Sequence, residues 1–437
     1  MDYAARPMTT TRSRLGFSLG ISLVSAIALG LAAGASGCSV ELQASAGGSL
    51  QPTPSSSQSA PGASSDASTP TQDASTPPKD GGAKDASTPD AAPPPTFATF
   101  GRWDTRDAAG PRAAWPGSKI RFRFRGTRAQ VRLDEIPGRG GPSEWDVAVD
   151  GTWSPNRLVP HSGKDVYVVA DGLPQGDHSV ELYRRTEAVG GRTQMLGVDL
   201  GAGTLLPPQP NKRRVFEFVG DSLTNGYGIE GAGATCPYTA STQNFHVTFA
   251  AQISNALDAD EIGVAYQGKG LIKNYERANT LLYPELYGRI LPDDAQSLWN
   301  PQTLVPDAVF VMLGANDYGQ EKSQVFDPPS LAAFRTAYTT LLARIRANAP
   351  KAYILSFVGP SASDSTPAGY RSRSDQTAAA SAAVTARQNA GDTRVSFVDV
   401  PAEPVTELTG CDYHPNRGVH DRLAAVLLPE VKRITGF

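Results

Sequence analysis

At 437 residues the chain is long enough for two domains of about 100–200 residues each. A formal net charge of −3 argues against nucleic acid as the main partner, because a phosphate backbone asks for a basic face. The candidate ligand residues fit no familiar zinc spacing, and neither a metal nor another cofactor is expected.

Residues 1–38 read as a leader. Arg12 and Arg14 precede a run of almost wholly apolar and small residues from Leu15 to Ala33, and Ala35-Ser36-Gly37-Cys38 follows. Charge, apolar core and small residues in that order form a secretory signal. The cysteine directly after small residues is similar to a bacterial lipoprotein processing site, at which Cys38 becomes the lipidated N-terminus. Ala35 stands where such sites more often carry leucine, so a plain secretory signal or an uncleaved anchor stays open. In each case the mature protein is expected outside the cytoplasm, as a cell-surface or periplasmic lipoprotein or as a secreted protein. One acylated cysteine would tether it to a membrane surface without spanning it.

Residues 39–95 hold no aromatic side chain, and Asp-Ala-Ser-Thr recurs at Asp66, Asp73 and Asp85, each time before a proline. Such a segment buries too little apolar surface to offset its ordering entropy and reads as a disordered linker. As a coil it would reach roughly 40 Å.

From 96 to 210 the pattern has period two. Ile120, Phe122 and Phe124 alternate with Arg121, Arg123 and Arg125, which read as the solvated face of a strand. Similar runs lie at Trp145–Val149, Val166–Val169 and His178–Tyr183, divided by Asp-Gly and Gly-Leu-Pro turns. Short alternating strands at this spacing predict an antiparallel β-sandwich.

From 211 to 437 the pattern changes. Val215–Val219, Ile262–Tyr266, Ala308–Leu313, Ala352–Val358 and Val395–Val398 suit buried strands. Between them, Phe245, Phe249, Ile253 and Leu257 form one helical stripe, and Leu331, Phe334, Tyr338, Leu341, Leu342 and Ile345 another. Strands alternating with helices predict a five-stranded parallel sheet inside a three-layer α/β/α domain.

Polar residues gather at the expected strand ends, where ligands bind in such sheets. The first end carries Gly220-Asp221-Ser222-Leu223, the second Gln267-Gly268-Lys269-Gly270, the third Gly314-Ala315-Asn316-Asp317; Cys411-Asp412-Tyr413-His414-Pro415 comes late in the chain. Ser222 at a strand end can attack a substrate or merely cap the next helix. As a nucleophile it needs a base, and histidine is the usual one. It also needs donors for an oxyanion, which a loop glycine and an asparagine amide supply.

These four blocks resemble those of the SGNH (GDSL-type) hydrolases, in order from Gly220 to Pro415. A narrower resemblance covers nearly all of the expected folded chain. Arg102-Trp103-Asp104, Ala114-Trp115-Pro116-Gly117-Ser118, Leu182-Tyr183-Arg184-Arg185-Thr186-Glu187, Gly220 to Gly228, Gly268-Lys269-Gly270 and Cys411 to Pro415 look like carbohydrate esterase family 2. That resemblance implies an N-terminal jelly-roll sandwich on an SGNH domain, and O-deacetylation of xylan, glucomannan or similar polysaccharides. It implies Ser222 as nucleophile, His414 as general base and acid, and an oxyanion hole from the N–H groups of Ser222 and Gly268 with the Asn316 side chain. SGNH blocks carry aspartate three residues before the histidine, where this chain has Cys411. Asp412, two residues before, is expected as third member on a strand-like backbone; a backbone carbonyl is the alternative, giving a dyad.

His420 is a rival base, read rather as a packing or capping residue. His246 reads as a surface residue, and His161 and His178 as structural. Outside the cytoplasm Cys236 and Cys411 invite a disulfide that would hold His414 near Ser222. Trp103, Trp115 and Trp145 read as sandwich core, and Tyr227, Tyr318 and Tyr413 as candidates for substrate contact. Two other functions stay open: an SGNH lipase, lysophospholipase or thioesterase, and a tethered carbohydrate-binding protein without activity.

Overall fold

A computed structural model describes residues 97–277, 280–319, 327–365 and 370–437. The expected leader with Cys38 and the expected linker lie outside them.

The first half is a sandwich of two antiparallel sheets. One holds Ala98–Phe100, Lys119–Gly126, Gly176–Arg184, Trp145–Val149 and Thr152–Trp153 in that order, with Thr204–Leu206 also pairing with Lys119–Gly126. The other holds Arg112–Ala113, Arg192–Asp199, Ala129–Ile136 and Gly163–Ala170. Ile120, Phe122, Phe124, Val131, Leu133, Trp103 and Trp145 form the core between them. Trp115 is also buried, but it packs with Ile262 and Tyr287 in the core of the second domain.

The second domain is built on five parallel strands, β1 (Arg214–Gly220), β2 (Ala259–Ala265), β3 (Ala308–Met312), β4 (Tyr353–Ser356) and β5 (Val395–Phe397), in the order β2-β1-β3-β4-β5. In β1, Phe216 and Phe218 point to one face, where α2 (Phe249–Ala256) and α5 (Arg417–Thr435) cover them. Val219 points to the other, with Phe334, Tyr338 and Leu341 of α3 (Leu331–Asn348) and Ala379 and Ala383 of α4 (Ser372–Asn389). A strand buried on both faces reads as a near-continuous apolar run, which made most of the sheet visible in the sequence, though Asp260 and Glu261 hid the start of β2 and β5 is only partly buried. The Phe245 stripe is interrupted. Residues Phe245–Val247 form a 3₁₀ turn, and Thr248, extended at ψ 171°, starts α2 afresh.

Register decides where the chemistry collects. Gly220 is level with Ala265 on one side and Met312 on the other. The loops that follow therefore leave the sheet side by side. This is also where the strand order reverses, the position at which such sheets open a crevice for ligands.

The two domains meet through charge. Arg102 and Glu217 form an ion pair at 3.0 Å with both side chains fully buried. The guanidinium also lies 3.6 Å over the Trp299 ring, and the Tyr287 hydroxyl donates to the other Glu217 oxygen at 3.0 Å. Lys119 and Arg121 both reach Asp260 on β2, holding its carboxyl far below the usual range against the burial that would raise it. This corrects the expectation for Arg121. Its side chain is buried against the second domain rather than solvated, whereas Arg125 is exposed and pairs with Asp177. His246 departs from expectation in the same way: it bonds Asp146 at 2.8 Å and stacks on Tyr183. His161 lies by Tyr167, and His178 bonds Asp150 and the Pro174 carbonyl.

Candidate active site

Ser222 opens the short helix α1 (Ser222–Asn225), directly after β1. The cap is Asp221, whose carboxylate accepts the Leu223 N–H at 3.0 Å. The serine hydroxyl is thereby spared for another partner, and it lies 2.9 Å from Nε2 of His414. Burial pushes the Asp221 carboxyl up to about 7, opposed by the Leu223 N–H.

The other face of His414 fixes its tautomer. Nδ1 sits 3.1 Å from the carbonyl oxygens of both Cys411 and Asp412. Carbonyls only accept, so Nδ1 carries the proton and Nε2 presents a lone pair to the serine O–H. Burial holds the imidazole down, to about 4, with the Asp412 and Cys411 carbonyls working the other way.

The Asp412 carboxylate does not hold this histidine, which corrects the triad expectation. Asp412 and Tyr413 both have left-handed backbone, at φ 52° and 57°, within a 3₁₀ turn, Cys411–Tyr413. The period-two rule that would aim Asp412 and His414 the same way applies only to a strand. In the turn, the Asp412 carbonyl faces the ring and its carboxylate accepts the Tyr227 hydroxyl at 2.7 Å. Tyr227 in turn stacks on His414, with centroids 4.0 Å apart and planes at 27°.

The turn is tied to the loop after α1. Cys236 and Cys411 form a disulfide with their Cα atoms 4.7 Å apart. The N–H groups of Cys411, Asp412 and Tyr413 donate to the carbonyls of Gly228, Cys236 and Ala234. Gly228 is required there: it has φ 63°, and a Cβ on it would meet the Cys411 nitrogen at 2.6 Å.

At the neighbouring strand end, Gly268 adopts φ 75°. Among the described residues neither its N–H nor that of Ser222 has an acceptor. Asn316 lies beside them; its Nδ2 donates to Asp221 at 3.1 Å and to the Lys269 carbonyl at 3.0 Å. Asp317 accepts the N–H groups of Leu271, Ile272 and Lys273 and so clamps the same loop. Its carboxyl is pushed up to about 6 by burial, against those three bonds.

Of the tyrosines proposed for substrate, Tyr227 is half-buried under His414 and Tyr413 is 50% exposed. Tyr318 is 5% exposed and packs edge-on against Phe334 in the core, so it offers substrate no ring. His420 is buried flat against Phe249 and away from the serine, accepting the Phe249 N–H at 3.4 Å.

A parallel sheet of this order with serine, glycine, asparagine and histidine at its carboxyl edge defines the SGNH class of serine hydrolases. A model of the GDSL-like lipase/acylhydrolase family matches residues 218–422, and a model of the carbohydrate esterase 2 N-terminal domain matches residues 99–210. A family two carbohydrate esterase from Clostridium thermocellum, solved in complex with cellohexaose, superposes with a TM-score of 0.70 at 31% identity, covering 78% of this chain and 99% of that one. The chain belongs to carbohydrate esterase family 2. It is 33% identical over 356 residues to the cellulase/esterase CelE of Acetivibrio thermocellus, covering 81% of this chain but only 41% of that protein's length. It is 25% identical over 349 residues to an acetylxylan esterase / glucomannan deacetylase of Cellvibrio japonicus, covering 79% of this chain and 90% of that protein.

Proposed function

We propose that the chain is a carbohydrate O-acetylesterase that removes acetyl groups from plant polysaccharides such as xylan and glucomannan through an acetyl-Ser222 intermediate. The observation that carries this is the 2.9 Å contact between the Ser222 hydroxyl and a His414 Nε2 left bare by two carbonyls on Nδ1. Ser222 Oγ attacks the acetyl carbonyl carbon while its proton passes to Nε2. The Ser222 and Gly268 N–H groups receive the oxyanion, joined by Asn316 Nδ2 as it shares its bond to Asp221. When the intermediate collapses, the sugar oxygen leaves with the proton from Nε2. Water then gives up a proton to the same nitrogen as it attacks the acetyl carbon; the bond from that carbon to Ser222 Oγ breaks, Oγ takes the proton back from Nε2, and acetate leaves. The deacetylase activity named for the Cellvibrio relative and the oligosaccharide bound by the Clostridium structure support a sugar ester as substrate.

The leader pattern and Cys38 support an extracytoplasmic site with a lipid tether, testable by loss of acyl labelling in Cys38→Ser. Among the described residues no helix is long and apolar enough to cross a membrane. The functional test is acetate release from acetylated xylan and glucomannan, with Ser222→Ala as control and 4-nitrophenyl acetate compared with octanoate. Release by wild type alone and preference for acetate are expected. Cleavage of octanoate without polysaccharide deacetylation would make the protein a lipase or thioesterase, and binding without any hydrolysis a carbohydrate-binding protein.

A further inference from the structure

The run Arg184-Arg185-Thr186-Glu187 belongs to the sandwich, between the strand Gly176–Arg184 and the turn Ala188–Gly190. Its last side chain nevertheless ends beside the strand-end loops of the other domain. Glu187 is fully buried, and its Oε2 accepts the Gln267 N–H at 2.9 Å. Gln267 is joined by one peptide bond to Gly268, the oxyanion donor of the mechanism above. Oε1 faces the side chain of Asn225 at the end of α1, without a well-formed hydrogen bond. Burial pushes the carboxyl up to about 8, opposed by the Gln267 N–H. At neutral pH it is therefore mostly uncharged and does not repel a nearby oxyanion.

The backbone that carries Glu187 is held as firmly as the loop it touches. The buried Arg184 guanidinium donates to the carbonyls of Thr186 at 2.8 Å, Glu187 at 3.3 Å and Gly191, and to Thr193 Oγ1 at 3.1 Å. The Glu187 N–H reaches Gln243 Oε1 at 3.4 Å, and Gln243 Nε2 bonds the carbonyl of Asn225 at the end of α1. Asp317 holds the loop 267–273 at its far end and Asn316 holds it at Lys269, the Gly268 and Gly270 carbonyls accept the N–H groups of Tyr275 and Tyr283, and Glu187 holds it immediately before Gly268.

We propose that Glu187 is a positioning residue for the oxyanion hole, through which the sandwich sets the direction of the Gly268 N–H. The inference rests on the esterase reading and extends it: the sandwich completes the catalytic site as well as flanking it. Its action lies in the transition state, where charge develops on the carbonyl oxygen, and not in holding the sugar.

The test compares full-length Glu187→Gln, Glu187→Met and Glu187→Ala. Glutamine keeps an acceptor for the Gln267 N–H, and its kcat should stay within about threefold of wild type. Methionine fills the space without an acceptor, and alanine leaves room for water to take its place. Loss of one oxyanion donor costs ~10²–10³ in turnover, so misdirecting one in Glu187→Met should cost ~10–10² in kcat with KM within about twofold. Glu187→Ala should fall between Gln and Met, and inhibition by a phenylboronic acid should weaken in step with kcat. Unchanged kcat in a folded Met or Ala variant would overturn the proposal. So would parallel loss of kcat, KM and melting temperature that glutamine does not rescue, since that marks a mere strut. If Glu187→Met does not fold, Gln against Ala decides alone. Absence of wild-type ester hydrolysis would sink the esterase reading itself, whereas activity lost in Ser222→Ala but kept in Glu187→Met would sink only the role of Glu187.

Discussion

Replacing Asp412 separates a carbonyl-held dyad from a triad by orders of magnitude. Where a carboxylate orients the catalytic histidine, changing it to the amide lowers turnover by about 10⁴, because the wrong tautomer is stabilised. Here the Nδ1 proton faces the carbonyls of Cys411 and Asp412, and neither depends on the side chain at 412. Asparagine still offers an oxygen to the Tyr227 hydroxyl and is among the residues that tolerate left-handed backbone, so Asp412→Asn should keep kcat within about threefold. Asp412→Gly keeps the φ of 52° but loses the Tyr227 acceptor. One hydrogen bond is worth about 0.5–1.5 kcal/mol, so up to about a tenfold loss is expected as Tyr227 loosens under His414. Asp412→Ala adds about 1–2 kcal/mol of left-handed strain and should fall lowest of the three, with a lower melting temperature. Initial rates on 4-nitrophenyl acetate and acetylated xylan, with His414→Ala as the inactive reference, give the series. A 10³-fold loss in a folded Asp412→Asn would refute the dyad.

Other consequences follow from the same contacts. His414 must be neutral to accept a proton, and its pKa is held down to about 4. The acid limb that His414 sets should therefore appear only as pH drops through about 4. Asp412 raises that value through its charge, so Asp412→Asn should move the acid limb lower still; a limb near 6.5 in wild type would show an unburied imidazole. Arg102→Ala leaves Glu217 buried without its cation and should cost about 3–5 kcal/mol in urea unfolding, much more than Arg102→Met with Glu217→Leu. The Cys236–Cys411 bond closes a separation of 175 residues. Cys236→Ser with Cys411→Ser should lose about 2–4 kcal/mol and lower kcat more than KM, as the His414 turn loosens; unchanged stability and rate would deny the bond that role.

The parts legible in the sequence were those written in one period. Alternation announced Ile120 to Phe124, and apolar runs announced most of the parallel sheet. Ala129–Ile136 alternates just as clearly, with Val131 and Leu133 inward and Arg132 outward, and so was within reach though it was missed. The serine, glycine and asparagine blocks were legible because each follows a strand end and the register levels those ends, whereas the His414 block sits in a turn well past β5. What stayed hidden depends on distant chain. Arg121 looks solvated until β2 brings Asp260 against it, and nothing near Glu187 says that Gln267 will be its partner. Asp412 misled for a local reason: two successive left-handed non-glycine residues are rare, and no residue pattern before the turn foretells them.

The most direct test is to quench the enzyme during turnover of an acetylated xylo-oligosaccharide and map the trapped acetyl group by peptide mass spectrometry. The account predicts an acetyl ester on the peptide carrying Ser222, missing in Ser222→Ala together with acetate release. Acetate release that persists in Ser222→Ala, or an acetyl ester formed at another residue, would contradict it.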